Sequence, residues 1–62
     1  MKLSETYHAL SQRIKSDKTT VDLHKRVAQC SNHYNNGTIT AREFRKLDDM
    51  IMVRIARIEA AS

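Results

Sequence analysis

The sequence predicts an all-α fold, an antiparallel helical hairpin of two or three helices assembled into a dimeric helical bundle. Three observations carry this expectation. The 62 residues hold one Gly and no Pro, so little interrupts a helical backbone. Apolar residues recur at three- and four-residue intervals along most of the chain. The stretch Asn35-Asn36-Gly37-Thr38-Ile39-Thr40-Ala41-Arg42-Glu43-Phe44 reads as a corner between two helices.

The first helix is expected over about residues 3–16. Leu3, Tyr7, Leu10 and Ile14 are spaced four, three, four, a seam on one helix face. Ser4, Glu5 and Thr6 suit a helix start, and Arg13, Lys15 and Lys18 suit its end, where cations meet the negative pole of the dipole. Next, Ser16-Asp17-Lys18-Thr19-Thr20 is poor in helix formers, and Thr19 followed by Asp22 resembles a fresh N-cap. A second seam runs through Thr20, Leu23, Val27, Cys30 and Tyr34. At about 100° per residue, the steps from Ile14 to Leu23 turn the face half way round. A break near 16–19 is therefore favoured, with a second helix over 19–35. The competing reading is one helix over 3–35, with Val21 and Ala28 carrying the first seam onward.

At the corner, Gly37 can end the second helix by taking positive φ without a Cβ clash. Thr40 can cap the next helix, with Glu43 closing a capping box. Ile39 before the cap and Phe44 at the fourth helical position can form a hydrophobic staple. The third helix is expected over about 41–60, with Phe44, Leu47, Ile51, Ile55 and Ile58 on one face and Met50, Val53 and Ala56 widening it. Met50-Ile51-Met52-Val53 points apolar groups all round one turn, as a helix packed on two sides requires. Self-association is therefore expected through Phe44, Leu47, Met50, Ile51, Val53, Ile55 and Ile58. Tyr7, Leu10, Leu23, Val27 and Tyr34 should cover this helix from the others.

Length points the same way. Residues 1–62 make one small domain with no linker or repeat. Such a chain buries only about 60% of its unfolded surface. Cys30 is alone, so no disulfide can help, and oligomerisation is the remaining remedy. A lone Cys suits a reducing cytoplasm, and the N-terminal residues lack the apolar core of a signal peptide. The longest pure apolar run, Met50 to Val53, is far short of the roughly 20 residues that span a bilayer.

The Gly37-Thr38-Ile39-Thr40-Ala41-Arg42-Glu43-Phe44 corner resembles that of the short helical-hairpin module of bacterial and phage proteins called the SHOCT motif. That corner reads glycine, any, isoleucine, threonine, any, glutamate, glutamate, phenylalanine, and this chain departs from it at Arg42. The resemblance covers the corner alone and implies a hairpin and self-association, with no chemistry. In size and character the chain also resembles small accessory proteins from the early regions of lambdoid phages.

Candidate chemistry is sparse. Aligning Gly37 with the glycine of a calcium loop puts Asn32, Tyr34 and Asn36 at the first ligand positions, where carboxylates belong. Cys30 and His33 supply two ligands where zinc needs three or four. No nucleophile is paired with a base and an orienting acid, and no glycine-rich phosphate loop is present. No enzyme activity, cofactor, metal or small-molecule substrate is expected. Asp22 with Arg26, and Arg45 with Asp49, read as ordinary i,i+4 pairs. The net charge of +4 favours acidic partners or nucleic acid. The expected role is thus a non-enzymatic interaction or regulatory protein, a homodimer binding another macromolecule. The alternative is a small basic nucleic-acid-binding dimer using Lys25, Arg26, Arg42, Arg45 and Lys46.

Overall fold

A computed structural model describes residues 4–61 of the chain. It contains three helices, α1 (Glu5–Ser16), α2 (Thr20–Asn35) and α3 (Ala41–Ala61). The expected elements are present within one or two residues of their anticipated bounds, and the break between the first two is real. Leu3, expected on the first seam, lies outside the described residues.

Each helix begins on a hydroxyl. Ser4 Oγ accepts from Tyr7 N at 3.1 Å at the start of α1. Thr19 Oγ1 accepts from Asp22 N at 3.1 Å at the start of α2. Thr40 Oγ1 accepts from Glu43 N at 3.2 Å at the start of α3. Each bond satisfies a backbone N–H that has no partner inside its helix.

The break follows from the half-turn between the two seams. Asp17 leaves the helix with extended backbone, φ −68° and ψ 131°. Its N–H still reaches back to the carbonyls of Arg13 at 3.0 Å and Ile14 at 3.3 Å. After the break, Leu23 and Cys30 point inward with Leu10 and Ile14. Val21, which an unbroken helix would bury, is 61% exposed, and Ala28 is exposed too.

Asp17 is also where all three helices are tied. Arg26 of α2 grips its carboxylate with two bonds, Nε to Oδ2 and Nη2 to Oδ1, both 3.1 Å. Arg54 of α3 donates from Nη2 to the Asp17 carbonyl at 2.7 Å. The surface pair expected between Asp22 and Arg26 is therefore displaced. Asp17 offers a part-buried carboxylate to both arms of the guanidinium fork, which is the stronger geometry. That hydrogen bond, opposed by partial burial, raises the Arg26 pKa further.

The corner after α2 is a Schellman turn. Gly37 has φ +79°. Gly37 N donates to the Tyr34 carbonyl at 3.1 Å and Thr38 N to the His33 carbonyl at 3.0 Å. The apolar contact that usually accompanies this motif is replaced by polar ones. Thr38 Oγ1 donates to the His33 carbonyl at 2.9 Å and meets His33 Nδ1 at 2.8 Å. Because the hydroxyl proton is spent on the carbonyl, Nδ1 is assigned as the donor in that second contact.

The capping box forms as expected, and it does more than cap. Glu43 Oε1 accepts from Thr40 N at 2.9 Å, and Oε2 accepts from Ser4 N at 2.8 Å. One carboxylate thus joins the starts of α1 and α3. It is 4% exposed. The Ser4 N–H first, then the Thr40 N–H, hold its carboxyl below the usual range, against the opposing effect of burial.

Three long-range bonds within the chain fix the direction of α1 beside α3: Ser4 to Glu43, Ser11 to Met50 and Asp17 to Arg54. Residue numbers rise together along both helices, so α1 runs parallel to α3. The corner makes α2 antiparallel to α3, with the Tyr34 ring stacked on Phe44 at 5.3 Å. α3 is the spine that touches both other helices, while α1 and α2 touch each other least. The core is Leu10, Ile14, Leu23, Cys30, Ile39, Leu47, Ile51 and Ile55, flanked by Tyr7, Val27, Phe44, Met50 and Ile58.

Candidate functional site

The residues expected to drive self-association divide into two groups. Leu47 and Ile51 are 0% exposed, and Ile55 is also buried. Their apolar area is spent inside the chain, against α1 and α2. Phe44, Met50 and Ile58 are half-buried at the margin of that core. Val53 alone of the group stands out, 51% exposed, beside Met52 at 46%. Of the residues expected to cover α3, Leu10 and Leu23 are buried, Tyr7 and Val27 half-buried, and Tyr34 lies at the edge. Ile39, expected only as a staple, is a full member of the core.

The outward residues of α3 form a groove with α1. Met50 and Val53 make its floor, and Lys15, Asp49 and Arg54 line it. Its volume is about 350 Å³. α1 borders it because parallel packing puts Ser11 against Met50 and Lys15 one turn further on. Counting about 100° per residue around α3, Arg54 and Met50 lie nearest α1, Val53 next, and Asp49 on the outer lip. Arg54 Nε is buried there without a hydrogen-bond partner, while Nη2 is committed to Asp17. Lys15, Asp49 and Arg54 were not anticipated as neighbours. Their meeting depends on α1 running parallel to α3, which no local pattern specifies.

The basic residues expected to meet nucleic acid do not form one patch. Arg26 is bound by Asp17 and also donates to Gln29. Arg42, Arg45 and Lys46 are exposed in the first turns of α3, near the corner. Lys25 is exposed on α2, but the antiparallel register that stacks Tyr34 on Phe44 sets it level with the region of Val53. That separates Lys25 from Arg42 by about 16 Å along the bundle. Tyr34 and Phe44 stack on each other, and Tyr7 stacks on His8 at 5.5 Å. Of the free cations, Arg45 lines a pocket with the stacked Tyr34 and Phe44 rings, while Lys25 lies far along the bundle from them.

Cys30 is a free thiol with 0% exposure. Burial pushes its pKa up, with Arg26 opposing, so it stays a thiol and packs as a small apolar residue. Among the described residues, no three of the His, Cys, Asp or Glu side chains are placed to hold a metal ion. No helix among them is long and apolar enough to cross a membrane. A smaller pocket lies between α2 and α3, lined by Tyr34, Ala41, Phe44, Arg45 and Asp48. No protein-family model matches the chain, and neither a curated protein nor a solved structure matches it.

Proposed function

We propose that this chain is a non-enzymatic interaction or regulatory protein that works by docking another macromolecule on the face shared by α1 and α3. The observation that carries this reading is the Met50–Val53 groove. Met50 packs at the margin of the core, but Val53 takes no part in it, so the exposure of Val53 serves no need of the fold. An apolar strip rimmed by charge is the usual form of a docking surface. The SHOCT-like corner, whose resemblance implies a helical hairpin and self-association, fits a protein that works by association. The small, basic, helical character shared with phage accessory proteins fits it too, as does a lone reduced Cys30 in a cytoplasmic setting.

Val53→Asp tests it. Tagged wild-type chain and the variant are exposed side by side to a lysate of the organism that encodes them. A macromolecule retained by the wild type and lost by the variant, with both proteins equally helical, is the expected result. Identical captured sets would remove the groove from the function.

A homodimer is the second reading, favoured by Met52. It sits almost half exposed on the outer face of α3, where Arg45, Asp48 and Asp49 supply both signs of charge for a second copy. A concentration series by sedimentation equilibrium, with Met52→Lys as the contrast, tests it. The nucleic-acid reading is weaker, because Arg26 is engaged and Lys25 is remote from the other three cations.

A further inference from the structure

We propose that the partner element in the α1–α3 groove is an acidic amphipathic helix. This rests on the docking reading above and adds the chemistry of the partner. Lys46, Met50, Val53 and Arg57 are spaced four, three, four along α3, so they form one stripe on its groove side. Lys46 and Arg57 are exposed, and the two apolar residues between them line the groove. Lys15 and Arg54 add positive charge on the α1 side, against a single carboxylate, Asp49, on the outer lip. The surface is therefore apolar in the middle and cationic at both ends and along one edge. From Lys46 to Arg57 it is about 16 Å long, roughly three helical turns. A helix with an apolar seam flanked by Glu or Asp matches it in length, in apolarity and in sign.

Two other occupants fit less well. A second copy would bring the same cations. If a twofold axis ran along the stripe, Lys46 would face Lys46. If it ran across, Lys46 would face Arg57. Like charges meet at the ends in either arrangement. Nucleic acid would satisfy the cations but would lay phosphate over Met50 and Val53, with no exposed ring there for a base to stack on.

The test uses two fluorescent designed peptides, one with a leucine seam flanked by glutamate and one with the same seam flanked by lysine. Fluorescence anisotropy is read at about 50 mM and about 300 mM salt, where screening differs strongly. The Leu/Glu peptide should bind the wild-type chain with Kd on the order of 10 µM and the Leu/Lys peptide much more weakly. Val53→Asp should weaken the first by about tenfold or more. The double variant Lys46→Glu, Arg57→Glu should reverse the preference, and both residues are exposed enough for the variant to fold. Circular dichroism melts confirm folding of each variant.

Equal binding of both peptides, no binding of either, or an unchanged preference in the double variant would overturn the proposal. So would competition of the Leu/Glu peptide by duplex DNA, or self-pairing of the wild-type chain that Val53→Asp abolishes. If the lysate experiment succeeds while the peptides fail, docking stands and the acidic helix falls. If both fail, the docking reading falls as well.

Discussion

Glu43 shows how one side chain can hold more structure than its neighbours in sequence disclose. Thr40 and Glu43 announce a capping box three residues apart. The second bond of the same carboxylate, to the N–H of Ser4, joins residues 39 apart and has no local signature. Two helix starts direct their positive poles at one buried anion. Glu43→Gln keeps the shape, but its one uncharged amide oxygen can accept from only one of the two N–H groups, so it should lower stability by about 1–3 kcal/mol in urea unfolding. The pH dependence follows from the sign of the shift. The folded-state pKa lies below the unfolded value, so the stabilisation is complete above the unfolded value of about 4.3 and is lost as pH falls through the folded one. Wild-type stability should therefore drop in acid below about pH 4, and the Gln variant should show a shallower drop. Gly37 makes a simpler case. A Cβ there meets nothing within 4 Å, so the cost of Gly37→Ala is that of the backbone at φ +79° alone. The loss should be about 1–2 kcal/mol by thermal melting, and Gly37→Asn should lose less.

At the level of the helices, the bounds were readable because caps and seams are local. Ser4, Thr19 and Thr40 each bond their own helix within three residues. The break before α2 could be read from the half-turn between Ile14 and Leu23. What fastens the break could not. Asp17 looked like one more polar residue in a weak stretch, yet it takes a two-armed grip from Arg26 and offers its carbonyl to Arg54. Those partners lie 9 and 37 residues away, and Arg26 had a nearer candidate in Asp22. Burial decides between them, since the Asp17 side chain is 10% exposed and a shielded ion pair loses less to water. Asp17→Ala should leave the Arg26 guanidinium part-buried without its anion. A loss of about 1–2 kcal/mol is expected, against less than about 0.5 kcal/mol for Asp22→Ala at the exposed i,i+4 site. Chemical denaturation of the two variants checks the contrast. The groove escaped the sequence for the same reason as the junction, because Lys15 meets Arg54 only through the way α1 is laid along α3.

For the molecule as a whole, the decisive question is where the apolar excess of α3 goes. Read from the sequence, Met50-Ile51-Met52-Val53 demanded a second chain. In the structure the demand is partly met at home, because α1 and α2 close over Leu47, Ile51 and Ile55. What remains outside is Val53 and Met52, with Met50 at the edge. Two positions in the same turn should thus answer the same substitution in opposite ways. A chain of this length has on the order of 3–9 kcal/mol of stability to lose. Ile51→Asp puts a carboxylate at a site with no exposure, at a cost of about 4 kcal/mol or more, and should leave the chain largely unfolded. Val53→Asp puts the same group into solvent at a half-exposed site, and its melting temperature should fall by no more than about 4 °C. Circular dichroism at low micromolar concentration checks both. If Val53→Asp unfolds the chain as Ile51→Asp does, the exposed turn is a structural interface that the monomer cannot do without. If it stays folded, Val53 is free to serve binding, which is the condition the docking groove needs.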